Sequence, residues 1–555
     1  MATRLPVVLL WHMHQPQYRD ALTGEYVQPW TLLHAIKDYA DMAAHLEAHA
    51  AARAVVNFTP VLIEQIEGLA REVGEYLEGG APLRDPVLAS LVAAAPADPP
   101  LRLQLLRALL RAQRTRMIEP LPAFRELVDL AQSFATPERI AYASDAYFAD
   151  LATWYHLAWT GETLRRGDAR IAALMAQGRG FQPADRRRLL AVIGETLASI
   201  VPRYRALAET GRCELSVSPY SHPILPLLCD FSVARQSLPD SPLPRHSAYP
   251  GGRARAEWHM AEAVRVFTRA FGMRPAGCWP SEGAVSDEAL ALIERHGFSW
   301  AASSAGVLAG SLPGAGPHRP YRLADGQLDC WFRDDGLSDL IGFSYAGWHG
   351  DDAVAHFVAS LAQIAQAQAA SGRHAVLVAL DGENAWEHYP QNGYHFLKGL
   401  YAALADHPAL ELTTLAALAA RDLQPAPLPH VRAGSWVHAT LATWIGDADK
   451  NAGWDLLCDA KLAYDRVLAG GGLAPDAAIA AGRQLALCES SDWFWWFGDY
   501  NPAEAVAQFD QLYRRQLSTL YRLLGLEPPA ALGKPISRGG GTMEQGGVMR
   551  RAGAA

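Results

Sequence analysis

What most constrains this chain is a recurring local pattern: a short apolar run that stops abruptly at polar or acidic residues. The clearest case is Val376–Tyr389, VLVALDGENAWEHY. Its leading part, Ala375 to Leu380, is small and branched, as in a strand buried on both faces of a parallel sheet. The run halts at Asp381-Gly382-Glu383, and Trp386, His388 and Tyr389 follow. A strand ending in an Asp-Gly turn is by itself ordinary punctuation. Recurrence changes its meaning, because α/β barrels keep their chemistry at the C-terminal mouths of such strands.

The same pattern opens the chain. Leu5–Trp11 reads as a buried strand ending in His12-Met13-His14-Gln15-Pro16, and Ala54–Phe58 as a second ending in Thr59-Pro60. Residues 61–212 are then almost purely helical in pattern. Leu189, Leu190, Ile193, Leu197, Ile200, Val201 and Tyr204 fall at helical spacing, with Gly211 as a C-terminal stop. Sheet pattern returns at Cys213–Val217, Ala276–Trp279, Phe298–Ser303, Leu328–Phe332 with Leu340–Ser344, and Ala375–Leu380. Helical segments at Arg253–Ala270, Asp287–His296 and Asp352–Ala370 separate several of them. Strands alternating with helices imply right-handed crossovers and a parallel sheet. About seven barrel-forming strands result, which predicts an incomplete (β/α) barrel over residues 1–424 with a helical insertion at 61–212. A PAPLP linker begins at Pro425, a helical domain covers 425–530, and the Gly-rich stretch 531–555 reads as a disordered tail.

Composition removes several function classes. The net charge is -9, which speaks against nucleic acid or an anionic membrane surface as the main partner. No run approaches the roughly 20 apolar residues of a membrane span. Leu5–Leu10 is too short for a secretory core and leads into a polar motif. Cys213, Cys229, Cys278, Cys330, Cys458 and Cys488 have no paired spacing and read as reduced core thiols of a cytoplasmic protein.

The polar clusters sit just after predicted strands. His12 and His14 follow the first, Glu214 and His222 lie on or after the third, Glu282 follows the fourth, and Asp381 the last. Glu282 and Asp381 therefore project from different strands towards one mouth. Two such carboxyls suit glycoside cleavage, one attacking the sugar carbon and one protonating the leaving oxygen. Trp279 and Trp386 flank them, where sugar stacking and core packing are equally good readings. The His12-x-His14 pair also suits a metal-dependent amidohydrolase. That rival needs further strand-end histidines, and His222, in a loop before Pro223, is the available one. A glucan-binding protein without turnover is the remaining alternative.

Together these stretches resemble glycoside hydrolase family 57. His12 to Pro16 looks like the first region by which that family is known, and Gly211 to Glu214 through His222-Pro223 like the second. Gly277 to Glu282 is similar to the third, Leu380 to Glu383 to the fourth, and Trp444-Ile445-Gly446 to Asp455 to the fifth. The resemblance implies a (β/α)7 barrel followed by a helical domain that completes the groove. It further implies a retaining enzyme acting on α-glucans with Glu282 as nucleophile and Asp381 as general acid/base, and no cofactor or metal. Glu214 would be a pocket residue in that family, against a salt bridge as the ordinary reading. Asp447 and Asp449 would either bind sugar hydroxyls or cap the helix beginning near Asn451. Arg333-Asp334-Asp335, Leu337-Ser338-Asp339 and Ser491-Asp492-Trp493-Phe494-Trp495-Trp496 resemble the amylopullulanase-like branch. In the last of these, Trp493, Trp496 and Phe497 have the spacing of a core face, while Asp492 is placed to reach the groove. Glu383 and Glu387 read as solvated or salt-bridged. Hydrolysis and transfer to another sugar, by a 4-α-glucanotransferase or a branching enzyme, use similar motifs.

Overall fold

The computed structural model describes residues 4–368, 374–421 and 423–542. Ten strands form one sheet: β1 Leu5–Met13, β2 Ala54–Phe58, β3 Cys213–Val217, β4 Gly277–Cys278, β5 Trp300–Ser304, β6 Tyr321–Leu323, β7 Asp329–Arg333, β8 Val376–Asp381, β9 Leu410–Leu412 and β10 Ala426–Leu428. The order β8-β1-β2-β3-β4-β5-β7 is parallel throughout. β7 and β8 share no ladder, yet Asp334 N donates to Leu377 O at 2.7 Å and Arg333 Nη1 to Ala379 O at 2.8 Å. These bonds bring the ends of the row together, giving the incomplete seven-stranded barrel expected from the sequence.

The strands form where they do because their residues have nowhere else to go. Every β2 and β3 residue is buried, as is all of β1 except Pro6, so both faces of the ladder are dry. Registers are tight: His12 pairs with Asn57 on one side and with Asp381 on the other. Local sequence alone misplaces two segments. Leu340–Ser344 is apolar enough for a strand but forms a π-helical turn after the Asp335–Asp339 helix. The PAPLP stretch holds β10, which pairs in parallel with β6 at the sheet edge. Proline is tolerated at that position because an edge strand need not donate on both sides.

Between β2 and β3 the chain is helical, as expected, and the Pro183–Glu209 helix packs along Pro60–Gly79. After β10 come the helices Ala448–Ala469, Pro475–Cys488, Ser491–Trp496 and Ala503–Leu523. The expected disordered tail is corrected in its first part. Ala530–Gly533 forms a 3-10 turn, Ile536 N donates to Asp510 Oδ1 at 2.7 Å, and Gly540 N donates to Asn501 O at 3.0 Å. Fixed backbone partners override the Gly-rich composition here; residues 543–555 lie outside the described ones. Among the described residues, no helix is long and apolar enough to cross a membrane. All six cysteines are free, and all but Cys229 are fully buried.

Candidate active site

Glu282 is set by a strained turn rather than by a strand. β4 is only two residues long, and the chain leaves it through Trp279-Pro280 into a tight turn in which Glu282 has φ 59 and ψ 22. A non-glycine residue in the left-handed region is uncommon and persists only where its surroundings impose it. The imposing partner is Trp436. Its backbone N donates to Glu282 O at 3.1 Å, and its indole Nε1 donates to Glu282 Oε2 at 2.9 Å. His222, also left-handed at φ 67, lies 3.8 Å from Glu282 Oε1 through Nδ1.

Asp381 ends β8 and accepts from Asn384 Nδ2 at 2.8 Å. It does not neighbour the strand that carries Glu282. β1, β2 and β3 stand between them on one side, and β5 and β7 on the other, so the two carboxyls face one another across the mouth. Both titrate upward. Burial and then the Asp381 charge push Glu282 to about 8, against a smaller lowering by the Trp436 bond. Burial likewise raises Asp381, with the Asn384 bond opposing it. Like charges in a poorly solvated site disfavour one another, so the Asp381 charge adds to burial in holding the proton on Glu282.

Three histidines stack beside this pair. Ring centroids of His12 and His222 are 4.9 Å apart, and those of His14 and His222 are 3.9 Å apart. His12 Nδ1 bonds Asn57 Oδ1 at 2.7 Å, and His222 Nδ1 bonds Ser491 Oγ at 3.0 Å. His14 is held on both nitrogens, by Thr59 Oγ1 at 3.0 Å and by Asp492 Oδ2 at 2.8 Å. Burial lowers His12 to about 3 and His222 well below the usual imidazole range, so both rings are neutral. Their Nε2 atoms are buried without a protein partner among the described residues. Buried polar atoms are ordinarily bonded, so an unbonded one beside a cavity is suited to a polar ligand.

His14, His222 and Asp492 lie close enough to suggest a metal centre, their ligand atoms being within 4.8 Å of one another. The ring geometry argues for hydrogen bonding instead. Both His14 nitrogens and His222 Nδ1 are already bonded, to Thr59, Asp492 and Ser491, and the two rings are stacked at an inclination of 27°. A tetrahedral ion needs donors converging from widely separated directions.

Two cavities meet at Glu282 and Asp381. The larger, about 290 Å³, is walled by His12, His14 and Asp492 and by the rings of Tyr18, Trp30, Trp159, Trp495, Trp496 and Phe509. The smaller, about 40 Å³, is bounded by Arg333, Ser338, Asp339, Phe343, Trp436 and Trp495. Trp159 comes from the insertion between β2 and β3, and Trp495 and Trp496 come from the C-terminal helices. Three parts of the chain thus build one groove.

Several expected site residues are placed elsewhere. Glu214 is the second residue of β3, at the opposite end of the barrel from the mouth. It is buried and accepts from Trp300 Nε1 at 2.7 Å and Ala416 N at 2.8 Å, so it plugs the barrel floor. Trp279 and Trp386 are corrected to core residues, 0% and 1% exposed. Trp386 anchors the turn after Asp381 by donating to Gly382 O at 2.8 Å. Trp444 is 0% exposed and supports Trp454 from its backbone oxygen, lining neither cavity. Asp447 caps the Ala448–Ala469 helix by accepting from Asp449 N at 2.8 Å and Lys450 N at 3.4 Å. Asp449 lines neither cavity. Glu383, expected at the surface, is 2% exposed and borders the large cavity, and burial and the Asp381 charge raise its pKa well above normal. Trp496 faces the cavity rather than the core, stacked on Phe509 at 4.4 Å. Trp436 was missed altogether; an aromatic residue in Gly434-Ser435-Trp436, soon after the last strand, was its only sequence signal.

A parallel barrel holding two buried carboxyls with raised pKa at its mouth, above a polar and aromatic groove, defines an enzyme of the glycoside-cleaving class. The profile of glycosyl hydrolase family 57 matches residues 8–429, and the chain belongs to that family. Solved structures share the fold. A family 57 branching enzyme from Pyrococcus horikoshii superposes with a TM-score of 0.60 at 16% identity, over 94% of this chain and 89% of that one. The α-amylase AmyC from Thermotoga maritima gives 0.55 at 13% identity, over 94% of each chain. The 4-α-glucanotransferase from Thermococcus litoralis gives 0.52 at 11% identity, over 94% of this chain and 60% of that one. No curated protein matches the chain in sequence.

Proposed function

We propose that the protein is a retaining hydrolase of α-1,4-linked, and also α-1,6-linked, glucans. In the first step a Glu282 carboxylate oxygen attacks C1 of the bound sugar while the C1–O bond to the leaving group breaks. Asp381 gives its proton to the departing oxygen. In the second step the Asp381 carboxylate takes a proton from water as the water oxygen attacks C1, and Glu282 leaves with its electron pair. The observation that carries this reading is that Glu282 and Asp381 alone, with Trp495, border both cavities. A scissile bond lying between the cavities is therefore within reach of both carboxyls.

In the empty site burial favours the proton on Glu282, whereas the first step needs it on Asp381. Substrate reverses the preference. Positive charge developing at C1 stabilises the Glu282 carboxylate, and the glycosidic oxygen, which becomes basic as its bond to C1 breaks, takes the proton from Asp381. His12, on the wall of the larger cavity, offers its Nε2 to sugar hydroxyls, and the surrounding rings offer faces to pyranose C–H groups; His222 lines neither cavity and backs the row from behind. The α-glucan class is supported by family membership and by the branching enzyme, amylase and glucanotransferase that share the fold. The amylopullulanase-like branch rests on the Arg333–Asp339 and SDWFWW segments, which border the groove.

Incubation with maltoheptaose followed by separation of products tests this reading. Shorter sugars only are expected. A ladder extending above the substrate overturns hydrolysis in favour of transfer, and unchanged substrate overturns catalysis on this class.

A further inference from the structure

The helical domain supplies Asp492 and Ser491 to the histidine row, so something must hold their segment in register with the barrel. Two residues before Ser491 lies Glu489, at the junction of the Pro475–Cys488 and Ser491–Trp496 helices. Its side chain is 0% exposed, and several donors converge on it. Tyr249 Oη donates to Oε1 at 2.6 Å, Arg255 donates from Nε to Oε1 and from Nη2 to Oε2, each at 2.8 Å, and His259 Nε2 bonds Oε2 at 2.7 Å. Arg255 and His259 sit on the Gly252–Phe271 helix, the crossover between β3 and β4. β3 and β4 are the strands whose C-terminal loops carry His222 and Glu282.

A lone buried charge is costly, and one retained with this many bonds fixes geometry rather than adding much net stability. Burial alone would raise the Glu489 carboxyl, but the Arg255 charge and the His259 bond bring it to about 2, so it is ionised throughout the neutral range. The residues just beyond it convert that anchor into active-site geometry. Ser490 Oγ donates to Asp492 Oδ2 at 2.6 Å, Asp492 holds His14, Ser491 N donates to His222 O at 3.0 Å, and Ser491 Oγ bonds the His222 ring. The groups that contact the anchor and those that contact substrate thus lie one to three residues apart on a single rigid junction.

We infer that Glu489 is a positioning residue: its grip on the crossover helix sets the placement of Asp492 on His14 and of Ser491 on His222. It touches neither cavity, so any effect on turnover must pass through these neighbours. The inference rests on Asp492 and the histidines forming the sugar site proposed above. A double-mutant cycle separates positioning from mere glue, because residues acting through one another show non-additive losses.

The test uses the full chain and maltoheptaose, with Glu489→Gln, Asp492→Asn and the double variant, each checked for wild-type circular dichroism. Glu489→Gln is expected to lower kcat about 10-fold, and adding it to Asp492→Asn to cost less than about 2-fold more. Losses that multiply in the double variant, or an unchanged kcat in Glu489→Gln, overturn the inference. If Glu489→Gln does not fold, Tyr249→Phe, which removes one donor only, is read in the same cycle. A smaller kcat loss that disappears in the Asp492→Asn background supports the inference, and a loss that persists there overturns it. The imidazole NMR signal of His14 gives a readout independent of substrate. It is expected to shift in the Glu489 or Tyr249 variant, and an unmoved signal overturns positioning whatever the reaction proves to be. Asp492→Asn at full activity would sink the sugar-site reading, while the His14 signal still decides the clamp.

Discussion

At the scale of single residues the site is governed by what burial does to charge. Glu282 lies in a left-handed turn, bonded twice by Trp436 and facing a second carboxyl. Replacing Glu282 by Gln keeps the shape and an indole partner but removes the atom that must attack C1. A loss of about 10³-fold or more in kcat is expected, the scale on which removal of a nucleophile acts. Stability should move the other way. A carboxyl raised from 4.5 to about 8 in the folded protein stabilises the fold when protonated, and that contribution is lost as pH rises through the window between those values. Glu282→Gln has nothing to lose there, so its Tm should match wild type near pH 4 and exceed it at pH 8 and above. Thermal melts across that range check both signs, and a variant less stable than wild type at pH 8 would contradict a raised Glu282.

At the scale of elements, the site is assembled from short pieces that follow strands. The end of β1 brings His12 and the turn after it His14, the loop after β3 brings His222, and the Ser491–Trp496 helix arrives from far along the chain to bond His14 and His222. Because His14 is bonded on both nitrogens and its ring lies nearly parallel to that of His222, the row serves as a hydrogen-bonding wall. Its behaviour towards chelators follows. EDTA should leave turnover unchanged, while His14→Ala should lower kcat/KM by about 10²-fold or more by removing the ring that Asp492 and Thr59 both bond beside the substrate. Activity lost to EDTA and restored by zinc would bring back the metal-dependent reading.

At the scale of the whole molecule, barrel, insertion and helical domain each put rings into the larger cavity, so no one part alone makes the groove. The two carboxyls proposed to act stand on opposite sides of the mouth, with strands between them in either direction round the sheet. Retaining pairs sit about 5–5.5 Å apart and inverting pairs about 6.5–9.5 Å apart. Retention as proposed requires the turn at Glu282 to bring a pair on non-adjacent strands to the shorter range. Hydrolysis should therefore release the α-anomer first, visible by proton NMR before mutarotation. A β-anomer as first product would show that the two carboxyls do not cooperate as proposed.

What the sequence by itself determined is the part written in local patterns. Double-sided apolar runs must be buried, and so β2 and β3 were legible to the residue, as were the positions of Glu282 and Asp381 just past such runs. The helical periodicity of 183–209 was equally plain. The tertiary structure decided everything that depends on partners distant in the chain. Glu214 follows the second of the resembling regions yet closes the barrel floor, because Trp300 and Ala416 meet it there. Leu340–Ser344 has the composition of a strand but finds no free ladder, and the Pro-rich stretch at 426–428 finds one on β6. Trp436 has no local signal beyond being an aromatic residue in Gly434-Ser435-Trp436, and becomes the partner of Glu282 only when the chain returns across the mouth. Burial of a run is a property of that run, whereas a hydrogen bond between residues 154 positions apart exists only once the fold has brought them together.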